Sequence, residues 1–194
     1  MRTTSMPILV KVGLGQRYAR RTLAPGASKP HGQCLGLSMA WLRRIQCGAT
    51  LDELPTFMEG ALGQSIYVCG YDAASWVTNT APAFNHSRHL HAMAATLGMR
   101  AGARQSVSPF AIADVVQGQW APGARKTFLL QMYGHAMGLA LVDTEVGLFD
   151  SNSGAYVYKI GVKEEMTSLT NVLTRLVFRY TGQPSKIGIS PILY

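Results

Sequence analysis

Between residues 126 and 160 the apolar residues fall into four short runs, and the turns between them are too brief to hold a crossover helix. The runs are 126–132 (KTFLLQM), 135–142 (HAMGLALV), 146–150 (VGLFD) and 156–160 (YVYKI), punctuated by Gly134, Asp143-Thr144 and Asn152-Ser153-Gly154. Parallel neighbours need a dozen or more residues to return, so these runs predict an antiparallel meander. The chain before them has a helical period. Leu35, Met39, Leu42 and Ile45 recur at helical spacing from Cys34, Arg43 and Arg44 fall on the other side, and Gly48 supplies a stop. Thr50 and Glu53 resemble a capping box opening a second helix through about Leu62. A third helix is expected over 85–97, and Ser108-Pro109 starts another. Beyond the meander, Met166, Leu169, Leu173, Leu176 and Val177 mark a helix over 164–180, and 186–190 reads as a closing strand. Helices first, then an antiparallel sheet with one more helix, is an α+β order without βαβ alternation.

The chain has 194 residues, 47% of them hydrophobic, enough for one real core and too apolar for general disorder. Its net charge of +8 is concentrated at one end. Residues 1–51 hold eight basic residues (Arg2, Lys11, Arg17, Arg20, Arg21, Lys29, Arg43, Arg44) and no acid, leaving ten of each sign after Leu51. Residues 1–29, basic and broken by Gly13, Gly15, Pro25 and Gly26, read as a leader or propeptide-like tail, and 30–194 as one folded domain. No apolar run approaches the ~20 residues of a spanning helix. The stretch 6–12 contains Lys11 and is followed by Arg17, Arg20 and Arg21, so no secretory signal peptide is expected. Three cysteines, Cys34, Cys47 and Cys69, with no close pair, argue for a reducing compartment, no disulfide framework and no zinc site.

Cys34 lies in HGQCLGLSMAWL, at the first turn of the first helix. A thiol attacks as its thiolate, which the free amides and dipole of a helix N-terminus stabilise. Gly32 would allow close approach of a substrate, and the Cys34 amide would face a developing oxyanion. A base is then required. His86, His89 and His91, spaced i, i+3 and i+5, do not share one helical face and read as a solvated segment rather than a metal site, and His31 reads as an exposed loop residue. His135 opens an apolar strand after Gly134, where an ordinary strand-end histidine is the plain reading. Asp150 changes that reading. A hairpin closing near Asp143 brings His135 roughly opposite Asp150, so one carboxylate can orient one imidazole, as a thiol nucleophile requires. Cys47 and Cys69 read as small core or half-buried residues, and Trp41 and Trp76 as core aromatics. With no phosphate-binding loop, dinucleotide glycine fingerprint or HExxH, no cofactor and no metal are expected.

The segments GQCLGLSMAWL, GHAMGLALV and LFDSNSGAYVY together resemble the YopT-type (AvrPphB-like) cysteine proteases, papain-like bacterial effectors, over roughly residues 30–190. The resemblance implies a papain-like fold whose cysteine helix packs on the sheet bearing His and Asp. It assigns Cys34 as nucleophile, His135 as general base and acid, and Asp150 as the residue orienting His135. It also implies a bacterial protein without a classical signal peptide, delivered into the host cytoplasm, often by type III secretion, with a host protein as substrate. Papain-like sites usually take a second oxyanion donor from an Asn or Gln five or six residues before the cysteine; here Lys29 and Ser28 stand there. Gln33, Ser28, His31 or a backbone amide are the alternatives. The same triad also serves deamidases, transglutaminases and amidases, and a degenerate papain-like module would only bind. For the basic tail, nucleic-acid binding lacks any reader motif, and none of Gly13, Gly15, Gly26 or Gly32 has Ser or Thr four residues on for myristoylation. A secretion leader is preferred, with weak attraction to an anionic membrane surface as a second use.

Overall fold

The computed structural model describes residues 34–56, 58–63, 86–132, 134–183 and 185–194, with side chains from residue 90 onward in the third of these segments. Helix α1 (Cys34–Gln46) is buried on nearly all sides, with Leu37, Met39, Trp41, Leu42 and Ile45 at 1% exposure or less. A helix apolar all round must be enclosed, and α1 is the element around which one half of the core assembles. After it the chain departs from the expected second helix. Thr50 and Glu53 do exchange capping hydrogen bonds, the Thr50 amide donating to Glu53 Oε1 at 3.0 Å, but they close only a turn. Pro55 disfavours helical geometry just before it. The helical segment is 58–63, and its working box is Thr56 with Glu59, whose carboxylate accepts the Thr56 amide at 2.7 Å. Glu59 also takes both arms of the Arg44 guanidinium, at 2.7 and 2.9 Å.

Helix α2 (His86–Thr96) leads to two short strands absent from the sequence reading, β1 (Arg100–Ala101) and β2 (Gln105–Val107). Ser108 then caps a 3₁₀ turn (Pro109–Ala111) by accepting from the Phe110 amide, and helix α3 (Ile112–Gln119) continues from it. The meander follows as β3 (Arg125–Met132), β4 (His135–Val142), β5 (Glu145–Asp150) and β6 (Gly154–Lys159). Helix α4 (Lys163–Thr181) ends at a left-handed Gly182, and β7 (Ile187–Leu193) closes the chain. The seven strands form one sheet in the order β1-β7-β3-β4-β5-β6, with β2 also on β7, and every pairing is antiparallel.

Both faces of this sheet are covered, so its strands alternate in size rather than polarity. In β4, Ala136 and Ala140 face α1 with Gly138 between them, while Met137, Leu139 and Leu141 face α4. Gly147 of β5 extends the small-residue side. Trp41 lies across this shallow strip, stacked on Phe149 with ring centroids 5.4 Å apart. A Cβ on Gly138 would sit 2.7 Å from Trp41 Cε3, and one on Gly147 3.1 Å from Trp41 Cη2. Polar contacts pin both ends of α1. The Ser38 hydroxyl donates to the Ala136 carbonyl at 3.2 Å, and Arg125 Nη1 donates to the Ile45 and Ala49 carbonyls at 2.6 and 2.8 Å. The latter ties the last turn of α1 and the loop after it to the start of β3.

Gly138→Val forces branched carbons into a rigid indole and should destabilise the protein by about 1–3 kcal/mol. Urea unfolding measures this, and pairing Gly138→Ala with Trp41→Leu should cost less than the two single changes added together.

Candidate active site

His135 is the first residue of β4, and Gly134 before it has a φ of 71°, a left-handed conformation that suits glycine at the tight β3–β4 turn. By strand alternation His135 shares the α4-facing side with Met137, Leu139 and Leu141. Asp150 ends β5 on the same side as Val146 and Leu148. The β4–β5 register runs from Val142↔Glu145 to Gly138↔Phe149, closed by the two-residue turn Asp143-Thr144. Continuing that register puts Asp150 level with Met137, so the rough opposition expected of His135 and Asp150 is a diagonal one, two residues off the directly paired position. A two-residue offset leaves both side chains on one face, whereas a one-residue offset would have separated them.

His135 Nε2 lies 2.7 Å from Asp150 Oδ1, and the two residues are 8% and 0% exposed. A carboxylate only accepts, so Nε2 carries the proton toward Asp150 and Nδ1 is left for the thiol. Cys34, buried at the start of α1, is hydrogen-bonded to His135. It arrives from the opposite face of the sheet. The β4–β5 ladder stops at Gly138↔Phe149, so residues 135–137 project beyond it, and at that open end the α1 face meets the α4 face.

Burial works against charge on His135, yet the hydrogen bonds to Asp150 and Cys34 and the attraction to both outweigh it, lifting its pKa from 6.5 to about 9. For Asp150, burial pushes upward and is outweighed by hydrogen bonds from His135, Ser153 and Tyr180, which hold the carboxyl below its ordinary 3.8. The pair therefore carries opposite charges at neutral pH. Its effect on stability has two edges. The His135 contribution is full below pH 6.5 and is lost as pH rises through about 9, and the Asp150 contribution is present above pH 3.8 and is lost as pH falls below it.

Of the residues expected at the site, Cys34, His135 and Asp150 come together. Gln33, Ser28 and His31 lie outside the described residues, as do Cys69 and Trp76 and the whole basic segment 1–29. His86 and His89 belong to α2 without described side chains, and His91 is exposed. Cys47 is a correction: it follows the last turn of α1 at Gly48 and is exposed, not half-buried in the core. Among the described residues no group of three His, Cys, Asp or Glu is arranged to hold a metal.

Three residues around Asp150 escaped the sequence reading. The Tyr180 hydroxyl lies 3.1 Å from each oxygen of Asp150, and its ring stacks on the His135 imidazole with centroids 3.7 Å apart at 21°. Asn152 Nδ2 donates to Tyr180 Oη at 2.7 Å. The Ser153 hydroxyl bonds the carboxylate, and its amide closes the turn onto the Asp150 carbonyl at 3.0 Å. The FDSNSG segment holds two of them, but Tyr180 appeared only as the last residue of a helical pattern.

No family model and no curated protein matches this sequence. Among solved structures that share its fold is the Pseudomonas avirulence protein AvrPphB, with a TM-score of 0.58 at 17% identity, covering 84% of this chain and 92% of that one. Another is the ubiquitin-specific protease of the murine cytomegalovirus tegument protein M48, solved in complex with a ubiquitin-based suicide substrate. It has a TM-score of 0.53 at 12% identity, covering 87% of this chain and 81% of that one. Both are papain-like cysteine proteases, and this chain has their α+β papain-like fold.

Proposed function

We propose that the protein is a cysteine peptidase that cleaves a protein substrate through Cys34, His135 and Asp150, and that it acts as a bacterial effector inside host cells. The observation that carries the reading is the buried His135–Asp150 hydrogen bond of 2.7 Å with Cys34 on the other side of the imidazole. In this reading the Cys34 thiolate attacks the scissile carbonyl carbon and the π electrons move onto oxygen. As the tetrahedral intermediate collapses, His135 Nδ1 gives its proton to the departing amine and a thioester remains. The imidazole, now neutral, takes a proton from water, hydroxide adds to the thioester, and the thiolate leaves with the acid released. Asp150 keeps Nε2 protonated throughout. The fold shared with AvrPphB and with a ubiquitin-specific protease supports a polypeptide substrate, and the first of these also supports the effector role.

Cys34→Ala, His135→Ala and Asp150→Ala should each lower kcat/KM by about 10⁴-fold or more, with unchanged circular dichroism. N-terminal peptide profiling of a host lysate treated with wild type or with Cys34→Ala reads this directly, and an enzyme still active as Cys34→Ala ends the reading. A thiol-directed epoxide should label buried Cys34 faster than exposed Cys47, the reverse of what exposure alone would produce. If the thiolate–imidazolium pair is the active form, kcat/KM falls as pH rises through about 9, where His135 loses its proton. Asp150→Asn keeps an acceptor for Nε2–H but removes the negative charge that raises His135, so that limb moves toward 6.5 in a pH–rate profile.

A further inference from the structure

Tyr180 belongs to α4, on the far side of the sheet from the helix that carries Cys34, and no step of the proposed chemistry uses it. Its position is nevertheless highly constrained. The hydroxyl spans both oxygens of Asp150 at 3.1 Å, the ring lies flat on His135 at 3.7 Å, and Asn152 Nδ2 reaches Oη at 2.7 Å. An amide NH₂ only donates and a carboxylate only accepts, so the direction of this chain is forced: Asn152 to Tyr180, Tyr180 to Asp150. The chain then continues with His135 Nε2 donating to the same Oδ1 that the hydroxyl approaches.

From this geometry we propose that Tyr180 is a positioning residue that sets the acid–base poise of His135 through two opposed contributions, its hydroxyl and its ring. The proposal rests on the peptidase reading for its significance, but not for its test. The hydroxyl shares the carboxylate with His135 Nε2–H and draws off part of its charge, so it weakens the hold of Asp150 on the imidazolium. The ring lies flat on one face of the imidazole at 3.7 Å, where its electron-rich face attracts the cationic form of His135. Among the described residues, the ionisable groups facing His135 are Cys34 from α1, Asp150 from β5 and Tyr180 from α4, with Arg179 adjacent on α4 acting on the phenol. Burial, then the neighbouring Asp150, pushes the phenol far above its ordinary value, so it remains a donor throughout the range in which His135 titrates.

Tyr180→Phe and Tyr180→Leu separate the two contributions. The imidazole of His135 can be titrated by NMR in the full chain, its signal assigned by comparison with His135→Gln, and this readout needs no substrate. Tyr180→Phe keeps the ring and frees the carboxylate, so the His135 midpoint should rise above its wild-type position near 9. Tyr180→Leu keeps an apolar cover over His135 but has neither the hydroxyl nor the aromatic face, so its midpoint should fall below that of Tyr180→Phe. A residue that merely filled space would give Tyr180→Phe the wild-type midpoint, and that result overturns the proposal. So does a Tyr180→Leu midpoint at or above that of Tyr180→Phe in protein whose circular dichroism shows it folded; should that variant not fold, the Tyr180→Phe titration decides alone. Failure of the peptidase reading would appear separately, as both shifts in the variants alongside a wild-type protein that cleaves nothing.

Discussion

Trp41 can lie across β4 and β5 only because residues 138 and 147 have no side chains, and the placement of the site follows from that contact. The indole is fully buried, stacked on Phe149, with Gly138 and Gly147 as its floor. A large aromatic contributes more to burial than any other side chain, and here it also sets the distance of α1 from the sheet. With Trp41 seated, Ser38 reaches the Ala136 carbonyl, and Cys34, one turn earlier on the same helix, stands over the start of β4 where His135 sits. The Arg125 contacts at the other end of α1 complete a three-point fixation. A thiol held this way is positioned by packing rather than by its own loop, which is what precise chemistry requires.

The sheet separates two apolar layers, and its open end joins them. Cys34 comes from the α1 layer, while Asp150, His135 and Tyr180 come from the α4 layer. Burial alone would make charge on either His135 or Asp150 expensive, and each is the reason the other can remain ionised. Their remaining hydrogen-bonding capacity is taken up by Cys34, Ser153 and Tyr180, so the cluster is satisfied from three directions. A partly satisfied buried network would be worse than an apolar one, which explains why so many groups converge on one carboxylate.

Much of this was legible beforehand. The change from helical to short alternating period placed the meander strands to within a residue or two, and helix 164–180 differs from α4 by one residue at each end. The turn residues marked every reversal in the meander. The errors have physical causes. The helix expected from Thr50 failed because a capping box satisfies local amides without overriding Pro55 five residues on. β1 and β2 are two and three residues long, with no apolar alternation to read, and are strands only because β7 offers an edge to pair with. Cys47 followed composition statistics into the core, while the end of α1 turned it outward.

Cys34, His135 and Asp150 could be picked from the chain because their chemistry is local: a thiol at a helix start, an imidazole opening a strand, a carboxylate ending the next. The alternation of small and large residues along β4 was equally a property of the sequence, and it dictated which face would receive a closely packed helix. Only the folded chain decided that His135 and Asp150 would meet on the diagonal, since a two-residue turn sets the register. Only it brought Tyr180 onto their hydrogen bond. Stacking and hydrogen bonding depend on separations of a few tenths of an ångström between residues 30 and 45 positions apart. Such distances arise from the packing of α4 against the whole sheet, which no local pattern encodes.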